Sequence, residues 1–152
     1  MKKFNYLLSA VIVLSLVAFA GCGPDDTVEK TAAEEQLDKL KAQSWKATTG
    51  SVTRDGSAEA NFDTFTLSFT GTPKDQTASG SYATTNGGEV FPSGTWSFDG
   101  TNVNVLVRGT SIKMDITSVT DTNLKISFSL NADGSANGRG LSGNWVFDLT
   151  AN

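Results

Sequence analysis

From Trp45 onward, bulky apolar residues fall on every second position. Phe65, Leu67 and Phe69 alternate with Thr66 and Ser68, and Ile112, Met114 and Ile116 with Lys113 and Asp115. Leu124, Ile126, Phe128 and Leu130 alternate with Lys125, Ser127 and Ser129. Successive side chains of a strand point to opposite faces, so each apolar set enters a common interior while its polar neighbours meet water. One wet face implies antiparallel pairing. The runs predict eight strands, near 45–53, 64–70, 78–84, 93–98, 102–108, 111–117, 122–131 and 141–149. Turns such as Asp99-Gly100 and Arg108-Gly109-Thr110 are short enough for hairpins, which makes neighbours in sequence neighbours in the sheet. The expected class is therefore all-β: an eight-stranded antiparallel up-and-down barrel, with a β-sandwich as the alternative.

Ahead of these strands the period changes. Ala33, Leu37 and Leu40 form a narrow apolar stripe at helical spacing, and residues 28–43 are expected to form one helix. Thr31 and Glu34 stand in capping-box spacing, which starts the regular part at Ala32, and Glu35 and Lys39 are placed to pair across a turn. Such a stripe suits a lid or packing strut. Later, Ser93-Gly94-Thr95-Trp96-Ser97-Phe98-Asp99 recurs as Ser142-Gly143-Asn144-Trp145-Val146-Phe147-Asp148. Glycine, tryptophan and phenylalanine share a face in both copies, and each glycine is expected to leave room for the indole two positions on. Two copies fall short of a solenoid or propeller.

The first 22 residues have another logic. Lys2 and Lys3 precede a mostly apolar run at 7–19, too short to span a bilayer, which ends in small residues ahead of Cys22, the sole cysteine. Phe19-Ala20-Gly21-Cys22 resembles the lipobox of bacterial lipoproteins. That resemblance implies cleavage after residue 21, lipidation (palmitate included) of Cys22, and export to a membrane anchor on the cell envelope. The chain then divides into a signal peptide (1–21), a lipid-anchored tether (22–27), the helix (28–43) and the β domain (44–152). Asp25 and Asp26 resemble the acidic signals that take some lipoproteins to the outer membrane and the cell surface. They also suit the start of a helix.

Removal of residues 1–21 takes away Lys2 and Lys3 but no acid, so 10 basic side chains face 16 acidic ones and the net charge moves from −4 to −6. The basic residues are spread thinly, which argues against nucleic acid as a partner. The remaining 131 residues suffice for a core without disulfides.

Trp45 on the first strand, the mid-chain Phe91-x-x-Gly94-x-Trp96-x-Phe98, the preceding helix and the alternating later strands resemble the lipocalin-like domains of small bacterial lipoproteins, a group largely without assigned function. The likeness covers roughly residues 40–150. Gly-x-Trp stands here at Gly94 and Gly143, whereas lipocalins proper carry it on the first strand. The resemblance implies a barrel with a possible interior ligand site, for which Trp96, Phe98, Trp145 and Phe147 are the candidate residues. A filled interior is the default expectation, because the large inward side chains suffice to fill an eight-stranded barrel. The Asn86-Gly87-Gly88 loop is expected to form a mouth.

Catalysis finds little support. There is no histidine, and Asp99 and Asp148, at equivalent places after Trp-x-Phe, read more readily as turn residues than as a carboxylate pair. Asn131, Asp133, Ser135 and Asn137 alternate oxygen ligands, but Ala136 stands where a calcium loop of the EF-hand type needs glycine. The expectation is no catalytic residue, no metal and no cofactor. Three functions remain open: a binding module for a small apolar or amphipathic ligand, an interaction lipoprotein docking an envelope protein through its outer surface, and, last, an enzyme. The first requires an open cavity of about 300 Å³ or more lined by Trp96, Phe98, Trp145 or Phe147, and a solid interior would count decisively against it.

Overall fold

A computed structural model of the chain describes residues 29–131 and 141–152. The signal peptide, Cys22, the tether and Asp133 to Asn137 lie outside the described residues. One α-helix, α1 (Ala32–Lys41), precedes ten strands: β1 (Trp45–Lys46), β2 (Val52–Arg54), β3 (Ser57–Ala58), β4 (Thr66–Lys74), β5 (Thr77–Thr85), β6 (Gly94–Asp99), β7 (Asn102–Arg108), β8 (Ile112–Val119), β9 (Asn123–Leu130) and β10 (Gly143–Ala151). Consecutive pairing from β4 to β10 is antiparallel throughout, and β1 joins β4 to β10, closing an eight-stranded up-and-down barrel. The alternation of large apolar and polar residues produces this ring directly, because closure removes exposed edges and gives every apolar set one shared interior.

The expected first strand, 45–53, is broken in two. Thr48 to Ser51 forms a turn in which the Ser51 amide donates to the Thr48 carbonyl, and Gly50 sits at φ +76°. The chain then resumes as β2, still alongside β10, its first pair at Phe147 where β1 ended at Thr150. β3 returns on β2 through Asp55-Gly56, both at positive φ, a two-residue turn whose twist matches the strands it joins. The expected strand at 78–84, made mostly of small residues, is fully formed as β5 and pairs with β4 over nine positions.

The register defines two ends. At one lie the 74–77, 99–102 and 119–123 connections and α1. At the other lie the 85–94 and 108–112 connections, the β2–β3 turn and the ends of β9 and β10. Helix α1 closes the first end, packed against β4, β5 and β7 with Ala33, Leu37 and Leu40 buried. Its start is the expected capping box: the Glu34 amide donates to Thr31 Oγ1 at 3.2 Å and the Thr31 amide to the Glu34 carboxylate at 2.7 Å. The helix is shorter than expected, since this cap fixes one end and the chain must reach β1 at the other. The Trp45 indole N–H then donates to the Leu40 carbonyl, binding the helix end to the barrel wall.

Candidate binding site at the barrel mouth

Phe91 fills the middle of the barrel. It is fully buried, with ring centroids 5.6 Å from Phe65, 5.5 Å from Tyr82, 5.5 Å from Phe128 and 5.2 Å from Phe147. These edge-on and tilted geometries are favoured between aromatic rings. Phe91 belongs to no strand; the loop at 86–93 carries it inward. Asn86 and Gly88 at positive φ turn the loop, the Phe91 amide donates to the Gly87 carbonyl, and the Thr84 hydroxyl donates to the Phe91 carbonyl at 2.8 Å. Asn86, Gly87 and Gly88 border the mouth, as expected, while the same loop sends Val90 and Phe91 into the core.

The four aromatic candidates separate. Trp96 lies against the paired glycines Gly71 and Gly80 and donates to the Thr70 and Ser81 carbonyls. Phe98 stacks edge-on against Trp96, and Phe147 is enclosed by Phe62, Phe65, Phe91 and Phe128. Trp145 sits at the mouth. Phe62, on a short 3-10 turn (Ala60–Phe62), meets its ring at 5.5 Å, and the Arg54 guanidinium lies 5.4 Å from its centroid while pairing with Glu59. The space beside Gly94 is taken by the Tyr82 phenol, and that beside Gly143 by Arg54 and Asp55. In both repeats, then, the glycine makes room for a cross-strand neighbour rather than for the indole two residues on.

Two depressions open at this end. One, about 930 Å³, runs from inward-facing Arg108, Ile112, Phe128, Leu130 and Trp145 over the rim, past Leu141, to the outward-facing Lys113, Ser127, Asn144 and Val146. The other, about 570 Å³, lies between the 3-10 turn and the 86–93 loop, with Phe62, Val90, Leu141 and Trp145 in its wall. Trp145 and Leu141 border both; Trp96, Phe98 and Phe147 border neither.

The residue that sequence reasoning missed is Arg108. It is 8 % exposed, its guanidinium lies 5.4 Å from the centroids of both Phe91 and Phe128, and Nη1 donates to the Val90 carbonyl at 2.7 Å. Burial pushes its pKa down from the ordinary value, against the smaller opposing effect of Tyr82. Tyr82 in turn is pushed up by burial, and the Arg108 charge pulls it partly back. The signal for Arg108 was its place opposite Trp96. In β7 the valines look like the inward set, yet Trp96 pairs with Arg108 and Phe98 with Leu106, which turns Val105 and Val107 outward.

Asp99 and Asp148 have separate partners: Asp99 is ion-paired with Lys113, and Asp148 is ion-paired with Lys125 at 3.2 Å and accepts a hydrogen bond from the Asn123 side-chain amide at 2.7 Å. Asp99 precedes a turn, with Gly100 at φ +60°, whereas Asp148 lies within β10. Among the described residues no cluster of acidic, histidine or cysteine side chains is arranged to hold a metal, and no helix is long and apolar enough to cross a membrane. The fold and mouth define a closed up-and-down barrel with one end sealed by a helix and the other indented. Comparison with known protein families, curated proteins and solved structures returns no significant match to this chain.

Proposed function

We propose that this protein is an exported, lipid-anchored binding module that holds a small apolar or amphipathic molecule at the mouth of a lipocalin-like barrel. The observation that carries the reading is the 930 Å³ depression bordered by Phe128, Leu130, Leu141 and Trp145, a size and lining suited to a small ligand. Because Phe91 occupies the centre, the ligand lies across the mouth and not along the barrel axis. Phe128, Leu130 and Trp145 stand near strand ends, so this part of the lining is formed in advance and needs little ordering on binding. Anchoring is supported by the basic start, the short apolar run and the lipobox-like residues ending at Cys22. Several acyl chains on that cysteine give durable attachment.

The test is titration of the protein, without residues 1–21, with a polarity-sensitive apolar dye such as 1-aminoanthracene. Saturable binding is expected, weakened at least tenfold in Trp145→Ala and unchanged in Trp96→Phe. No saturable binding, or equal loss in both variants, removes the mouth from consideration.

A second reading has its own support in the filled interior: an interaction lipoprotein whose outer wall docks an envelope protein. Crosslinking in intact cells tests it, with reproducible enrichment of one envelope partner expected. Replacement of Cys22 with Ser checks anchoring under either reading and should release the protein from membranes.

A further inference from the structure

Arg108 has more hydrogen-bonding capacity than the protein uses. A guanidinium carries five N–H donors and stays charged at any physiological pH. Among the described residues its single side-chain hydrogen bond is from Nη1 to the Val90 carbonyl, and it joins none of their ion pairs. No fully buried side-chain nitrogen or oxygen of the described residues lacks a partner, so the remaining guanidinium nitrogens are not sealed away. They reach surface where Arg108 borders the 930 Å³ depression.

The other charged side chains of the described residues nearby do not answer it. Glu89 and Asp115 border the same depression, but both are exposed and neither is paired with Arg108. Lys113 is on the outer wall and is engaged by Asp99. A buried cation is costly unless a counter-charge or hydrogen bonds compensate it, and the flanking Phe91 and Phe128 rings supply only part of that. Phe128, against the guanidinium, borders the same depression as the apolar side chains of Leu130, Leu141 and Trp145, with Ser111, Ser129 and Asn144 among its polar lining.

Resting on the mouth as binding site, we propose that its ligand class is an anionic amphiphile, with a carboxylate or phosphate head on the Arg108 guanidinium and an alkyl chain along Phe128, Leu130 and Trp145. A planar fork of donors matches either head group, and a charge-assisted pair shielded from water is stronger than the same pair in bulk solvent.

Four probes with one chain length test this on the unmodified barrel below their micellar concentrations: dodecanoate, dodecanol, dodecyltrimethylammonium and dodecyl phosphate, the last separating the two head groups. Dodecanoate or dodecyl phosphate, whichever fits, is expected to bind at least tenfold tighter than dodecanol, with the cation weakest. Arg108→Gln should erase the preference while leaving dodecanol binding in place, and Arg108→Lys should keep part of it. Equal affinity for anion and alcohol overturns the Arg108 inference and leaves the mouth reading standing. Absence of binding by every probe overturns both. The comparison on the native chain decides the matter even where Arg108→Gln fails to fold.

Discussion

Phe91 and Gly80 show how tightly single residues are specified. Truncation of Phe91 to Ala removes the ring that touches four others, and the enclosing strands restrict collapse, so a loss of about 3–5 kcal/mol is expected in urea unfolding. At Gly80 the difficulty is reversed. A β-carbon there would lie 1.9 Å from the Thr70 carbonyl oxygen and 2.5 Å from the Gly71 α-carbon, both backbone atoms, so Gly80→Ala must force β4 and β5 apart. Overpacking of that kind is expected to cost about 3 kcal/mol. Neither residue was legible as such in the sequence. Phe91 reads as a loop residue because nothing alternates around it, and Gly80 reads as one more small residue in a weak strand. The inward rings of regular strands, Phe65, Phe69, Phe128 and Phe147, were legible because periodicity of two reports facing and nothing else.

Among the elements, α1 was the most readable, since a capping box is a local device whose partners lie three residues apart. Thr31→Ala removes the Oγ1 acceptor and should lower stability by about 1 kcal/mol, measured as a shift in the unfolding midpoint. Asp38 offers a separate check. Its hydrogen bond to Lys30, with the lysine's charge, holds the carboxyl below the ordinary range. A group whose folded pKa is lowered stabilises above its unfolded pKa, and that contribution fades as pH falls through the lowered value. NMR titration should show the depression in the native chain and its loss in Lys30→Met. The break between β1 and β2 was harder to read, because Thr48, Thr49 and Ser51 suit a strand and only Gly50 marks the turn. The mouth was harder still: Trp145 was singled out for its motif, while Arg108 became visible only once hairpin register set it opposite Trp96.

For the molecule as a whole, Tyr82 is a built-in reporter. The chain has two tyrosines, and removal of residues 1–21 takes Tyr6, leaving one phenol. Burial raises its pKa above the usual value of 10. The stability it contributes is therefore complete below pH 10 and lost as pH rises through the raised value. Absorbance near 295 nm should show a single titration displaced to high pH, and Arg108→Gln should displace it further, because the guanidinium charge pulls it down. The barrel's topology was legible at this scale since every connection from β4 to β10 is a neighbour hairpin, and each local turn agrees with the global ring.

That ring is fastened at its narrowest point by β1, two residues long, with one further backbone bond on each side, Ala47 to Phe65 and Asn152 to Ser44. Unzipping there bares β4 and the C-terminal part of β10 together, and an unpaired strand edge is a template for a strand from another copy. Anchoring of the kind proposed above would raise the frequency of such encounters, and the short β1 fastening is the place where oligomers by strand exchange would begin.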